Sequence, residues 1–462
     1  MKNNSTEVLG TKPIGNLLLQ QAVPASIGVL VMSLNVLVDS VFVGNWIGPL
    51  AMAAINVVLP VSFFIAAIGM AIGIGGSSVL SRALGSGNYE KAVRVFGNQL
   101  SLTILIVVSL ALLGLLNTNY LVYAFGGRGG IFNLAKDYYQ IVLCGVPILA
   151  LNMVGNNVIR AEGKPKFAMY AMIIPSISNL LLDYLFINKM DMGMKGAGWA
   201  TTISYGFCFL YILYFFITKS DLHLRIKSFV FELSIVKEIS ALGSTTLARQ
   251  GIVSLVYLIL NNIVVDLGGE WALASYAIVS RLLMFMLFPI IGVTQGFLPI
   301  AGFNYGAEKF DRVIEVIKVA IIYAGALGFV IFGFIMILPE TITGFFISNG
   351  THITESQKII NSKVLQETPT AIRLVFCVIP IIPIQLIGSA YFQAVGKAVP
   401  AFLLTLTRQG FFLIPALLIL PKYFGIIGVW TSFAVSDLLS TIITAHYLMR
   451  EVKINLRPRI TG

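Results

Sequence analysis

Two aspartates sit where an ionised side chain is hardest to keep. Asp39, in SLNVLVDSVFVG, and Asp183, in PSISNLLLDYLF, interrupt runs that are otherwise apolar. The 462-residue chain is 57% hydrophobic and only 11% charged, less than half the roughly 25% charge of a soluble domain. At bilayer depth a charged side chain costs on the order of 2.5–3.5 kcal/mol even on lenient insertion scales. Those that remain therefore need a reason. Asn179 and Asp183 are four residues apart and share a helix face. At about 1.5 Å of rise per residue, Asp39 lies near the outer end of the first apolar run, Asp183 near that of the fifth, and Thr201 just inside the sixth. Carboxylate, amide and hydroxyl oxygens at one depth suit a hard monovalent cation or a shared proton. Helix capping, or pairing of each acid with a buried arginine, is the competing account.

The second half carries a different set. Shifted by about 221 residues, Asp39 falls on Leu260, beside Asn261. Its intramembrane polar residues are Arg249, Arg281, Gln295, Gln385, Arg408 and Asp437. Arg281, Asp437, Gln295, Gln385 and Arg408 could line a substrate cavity, although Arg281 and Asp437 could equally serve in structural pairs. Arg249 and Arg408, within two or three turns of the inner face, read as snorkelling side chains.

Other chemistry finds little support. Cys144, Cys208 and Cys377 lie inside apolar runs and only three histidines occur, so no disulfide, metal cluster or nucleophile set is expected. Gly73, Gly75 and Gly76 fall inside an apolar span, where small residues allow close helix packing, and no phosphate-cradle lysine follows them. The expectation is a chain that is not an enzyme, with no cofactor beyond the coupling ion and no nucleic-acid partner.

The elements that must position these residues are membrane helices. Apolar segments read as 17–44, 52–80, 95–116, 137–159, 168–188, 197–218, 240–265, 272–299, 313–338, 371–393, 400–420 and 425–449. They are too long for barrel strands and lack a two-residue alternation, so they span as helices. The first sixteen residues are polar, and the run after them is too long for a cleaved signal peptide. The net charge of +11 is carried mainly between the spans. The termini and the loops after even-numbered spans hold about 20 of the 31 Lys and Arg, which places both termini in the cytoplasm. The polar connection 339–370 is expected on the membrane surface, with Ser356 to Gln366 too weakly amphipathic to assign.

The halves echo each other. GSGNYEKAVRV from Gly85 matches GAEKFDRVIEV from Gly306, and RAEGKPKFAM from Arg160 matches QAVGKAVPAF from Gln393. Six spans plus six, in parallel orientation, is a known transporter plan with the substrate path between halves. The division reads as 1–218 for the first six-helix bundle, 219–239 for a basic inner linker and 240–462 for the second. Pro24, on the same span as Asp39, could let that helix bend.

The stretches VPASIG, LNVLVDSVFVGNWIG, LAMAAINVVLPV, ALGSGNYEKA, NLLLDYLF, GMKGAGWATTIS and NYGAEKFDRV together resemble the MATE family (multidrug and toxic compound extrusion), over essentially the whole chain. The nearest likeness is to its bacterial DinF/MepA-type branch. The resemblance implies an all-α integral membrane protein with twelve transmembrane helices in two pseudo-symmetric lobes forming a V. It also implies export of amphipathic, often cationic, drugs from a bacterial inner membrane, driven by Na⁺ or H⁺. The branch's cation site carries over to Asp39, Asn179, Asp183 and Thr201, and its bent-helix proline to Pro24. The C-lobe carboxylates of the NorM-type branch have no evident match. The chain is expected to work as a monomer on drugs and other xenobiotics, among membrane lipids. A lipid-linked precursor flippase of the wider superfamily is the alternative. It would favour extra helices and a strongly cationic cavity, and neither is evident.

Overall fold

The computed structural model describes residues 7–347 and 355–461, all in helices and short connections, with no strand among them. Ten continuous helical stretches are long and apolar enough to cross a bilayer. Two of these, Leu233–Gly306 and the stretch from Ala398 to Ile460, contain a break at which one glycine leaves helical geometry: Gly269 (φ 64°) and Gly425 (φ 57°). Twelve helices result. We label them α1 (Ile14–Trp46), α2 (Pro49–Gly85), α3 (Tyr89–Leu116), α4 (Gly130–Ala161), α5 (Pro165–Lys189), α6 (Gly193–Thr218), α7 (233–268), α8 (270–306), α9 (Phe310–Ile337), α10 (Lys358–Ala394), α11 (398–424) and α12 (426–451).

The duplication seen in the sequence is written into the backbone. A left-handed residue ends α1 at Gly48 and α7 at Gly269, 221 positions on. Gly87 before α3 is matched by Glu308 before α9, Gly163 before α5 by Gly396 before α11, and Gly193 at the start of α6 by Gly425 before α12. Left-handed backbone is almost free for glycine and strained for other residues. That explains glycine at seven of these eight turns, while Glu308 adopts it at φ 58°.

One expectation needs correction. Ser356–Gln366 lies within a helix, Glu355–Phe376, that runs on from span 10, so the span begins well before the predicted 371. The stretch has few helix breakers, so it extends the span rather than forming a separate surface segment. Residues 348–354 of that connection lie outside the described residues.

The chain forms two compact units. One comprises 1–247, 298–309 and 394–396, and the other comprises 248–297, 310–393 and 397–462. In the first unit α1 packs on α5, α5 on α6, α6 on α4 and α4 on α2. Small residues permit these approaches. A methyl group at Gly28 would meet the Met172 sulfur at 2.8 Å, and one at Gly73 the Asn157 amide at 2.9 Å. The glycines of span 2 therefore serve helix packing.

Candidate functional site

In the first unit the predicted residues of three helices converge. Asn35, one turn before Asp39 on α1, donates from Nδ2 to the Asn179 Oδ1 of α5 at 2.8 Å. One turn further along both helices, the Asp39 and Asp183 carboxyls lie close enough to feel each other's charge. Asp183 is fully buried and Asn179 is buried, whereas Asp39 and Thr201 are partly exposed.

Two tyrosines complete the group. Tyr138 of α4, itself buried, stands beside Thr201 and in electrostatic reach of both carboxyls. Tyr205, one turn after Thr201, is in reach of Asp39. The α4–α6 seam that sets them is tight. Thr202 donates to the Ile141 carbonyl at 3.0 Å, and the Asn152 amide donates to the Tyr205 carbonyl at 2.9 Å. Asp183 also ends the regular part of α5, because residues 184–189 form a wider π turn, a feature often found at functional sites. Just beyond the pair, the Phe42 and Trp46 rings meet at a tilt with centroids 4.2 Å apart, and Trp46 meets Tyr184 edge-on at 5.9 Å.

The polar bookkeeping at this site is unbalanced. Neither Asp183 oxygen, nor the Asn179 Nδ2, has a hydrogen-bond partner among the described residues. No Lys or Arg among the described residues pairs with Asp39 or Asp183. Two carboxylates this close repel unless a positive charge or a proton sits between them. A cluster of carboxylate, amide and hydroxyl oxygens can receive either one.

Sequence reasoning named Asp39, Asn179, Asp183 and Thr201, and missed Asn35, Tyr138 and Tyr205. Asn35 and Tyr205 stand one turn from named residues. Tyr138 opens a span at the matching depth, but its role depends on which helix neighbours α6. Pro24 is buried within a continuous α1, where it leaves one carbonyl without its helical donor.

The second unit resolves its acid differently. Arg408 donates from Nε to Asp437 Oδ1 at 2.6 Å, and from Nη2 to Oδ2 at 3.4 Å. The expected snorkelling of Arg408 does not occur, because a buried carboxylate one helix away is a stronger partner than the interface. The Ser436 hydroxyl also donates to the Arg408 carbonyl. Gln385 is buried and donates to the Leu404 carbonyl at 3.1 Å. Arg281 is exposed, and Gln295 is partly exposed.

Comparison with known proteins agrees with this architecture. The MatE family model matches residues 24–185 and 246–418. The multidrug export protein MepA of Staphylococcus aureus strain MSSA476 is 25% identical over 456 residues, 98% of this chain and 97% of that protein. MepA of Staphylococcus saprophyticus is 26% identical over 93% of each chain. Among solved structures, the outward-facing conformation of a multidrug resistance MATE family transporter of the MOP superfamily is 25% identical. It superposes with a TM-score of 0.89 over 98% of this chain and 99% of its own.

Proposed function

The chain belongs to the MatE family, and we propose on that premise that it exports amphipathic drugs across a bacterial plasma membrane, driven by an inward-moving cation. Relatives that are multidrug export proteins support the cargo class. The single observation that carries the coupling is the Asp39–Asp183 pair: two carboxyls in mutual reach, with no basic side chain among the described residues to neutralise them.

The mechanism follows from that imbalance. An entering Na⁺ or H⁺ relieves the repulsion between the carboxylates and draws α1 and α5 together. Asn35, Asn179, Tyr138 and Thr201 supply neutral oxygens and hydroxyls around it. Pro24 lies fifteen residues from Asp39 on the same helix, about 22 Å along its axis, so a bend there relays the loaded state down α1. Loading favours release of drug outward, and unloading to the cytoplasm resets the cycle. Both termini lie in the cytoplasm, in line with the distribution of Lys and Arg.

Energetics bound the exchange. One charge moving through 100 mV yields about 2.3 kcal/mol, whereas a tenfold gradient of a neutral drug costs about 1.4 kcal/mol. One cation therefore suffices for a neutral cargo.

Dye efflux from loaded cells, in sodium and in proton gradients, tests the assignment. Asp39→Asn is expected to lose efflux in at least one gradient that drives the parent. Equal pumping by mutant and parent in both gradients overturns it.

A further inference from the structure

Arg281 is an intramembrane cation with no acid paired to it among the described residues. It lies twelve residues from the break at Gly269, roughly 18 Å along α8, near the middle of a hydrocarbon layer about 30 Å thick. Asp437, the intramembrane acid of this unit, is engaged by Arg408. Arg281 itself has no hydrogen-bond or ion-pair partner among the described residues. The acids nearest to it in sequence, Asp266 and Glu270, are exposed at the Gly269 break. Glu270 is eleven residues away, about 16 Å along the helix.

The face that carries Arg281 is well defined. Glu270, Leu273, Ala277, Arg281 and Met284, spaced by three and four, are all exposed, while Ser275, Ile278, Val279 and Leu282 on the opposite side are buried. Next to the guanidinium, one turn away, stand Ala277, Met284 and a partly exposed Phe285. This is a single cation set in an apolar, methionine- and phenylalanine-bearing surface. A lone guanidinium at that depth is too costly to face lipid.

The neighbouring helix separates a wet face from a lipid one. On α7 the exposed residues Gln250, Ser254, Tyr257 and Asn261 form a polar stripe, and beside it Leu247, Leu255, Leu258 and Val265 form an apolar one. The Tyr257 and Tyr276 rings, 6.2 Å apart, bring α7 and α8 together. A polar stripe at membrane depth requires water or a ligand against it.

We propose that Arg281 recognises an acidic group on the cargo. On the export reading above, the chain then carries amphipathic monoanions or zwitterions, with one carboxylate or sulfonate on an otherwise apolar body, and not cations alone. A guanidinium binds such groups through two parallel hydrogen bonds, while Ala277, Met284 and Phe285 meet the apolar body. The membrane potential, negative inside, favours outward passage of an anion. Each charge through 100 mV is worth about a fifty-fold gradient.

The test is purified full-length protein in proteoliposomes with sodium and proton gradients imposed, transporting tetramethylrhodamine, which bears a free carboxylate, or its cationic methyl ester. We expect the wild type to move both dyes. Arg281→Gln should lower the ratio of acid to ester transport at least tenfold, and Arg281→Lys, which keeps the charge, by no more than about threefold. A ratio unchanged in Arg281→Gln overturns the inference. So does a wild type that moves the ester and not the acid, although export itself then stands. A wild type that moves neither dye removes the export reading and this inference with it.

Discussion

The two units of this molecule treat their intramembrane acids in opposite ways. In the first, Asp39 and Asp183 face each other with amides, a threonine and tyrosines around them and no paired Lys or Arg among the described residues. In the second, Asp437 is clamped by Arg408 at 2.6 Å. The two halves repeat left-handed turns at matched positions. Duplication has therefore preserved the scaffold while the chemistry diverged. An acid already neutralised by arginine has little reason to bind an ion, and an acid facing another acid has every reason to. At the inner ends of the spans, by contrast, both units pair a buried acid with a lysine. Glu162, after α4, is fully buried and accepts from Ser220 at 2.5 Å, with Lys164 3.9 Å away. Its counterpart clasp joins Lys397 to Glu451 at 2.5 Å, with Tyr391 and Asn455 adding hydrogen bonds.

Breaking the acid pair should have the largest effect. Asp183→Asn is expected to abolish gradient-driven dye accumulation, a loss of at least about tenfold, or about 1.4 kcal/mol of coupling. Asp437→Asn should leave the dependence on the ion gradient in place. Next comes the ion pair itself. Arg408→Gln leaves Asp437 buried and uncompensated, which costs about 3–5 kcal/mol. A lower thermal midpoint in detergent should report it, and adding Asp437→Asn should recover most of the loss. A midpoint unchanged by Arg408→Gln would remove the structural role given to this pair.

Smaller effects sharpen the contrast. Burial raises Glu162 to about 7, against the opposing pull of Ser220 and Lys164. The folded protein thus holds this proton above the ordinary glutamate value of 4.5. The stability from it is fully present below that value and is lost as pH rises from about 4.5 to about 7. Melting in detergent across that window should show the decline, and Glu162→Gln should flatten it. The mildest prediction concerns the neutral groups. Tyr138→Phe and Thr201→Val should each weaken the apparent affinity for the driving cation about threefold, roughly 0.7 kcal/mol, with full export restored at higher cation concentration.

Much of this arrangement was legible in the sequence because membrane burial makes polar residues conspicuous. Asp39 and Asp183 stood out against apolar runs, and spacing put Asn179 on the face of Asp183. Twelve apolar segments sufficed to separate the helices that meet at the Gly269 and Gly425 breaks. Side-chain partnerships across helices were harder to foresee. Nothing in the spacing of Arg408 says that it meets Asp437, because the two come together only when α11 packs on α12. Tyr138 was missed for the same reason: its place beside Thr201 depends on the α4–α6 contact. The span-10 boundary failed because a polar, helix-favouring stretch extends the helix without adding apolar residues.

The most direct test measures cation uptake alongside dye export in the same proteoliposomes, for the wild type, Asp183→Asn and Asp437→Asn. Cation entry should accompany export in the wild type and in Asp437→Asn, and should vanish together with uphill export in Asp183→Asn. Uphill export with undiminished cation entry in Asp183→Asn would contradict the assignment of coupling to the first unit's acid pair.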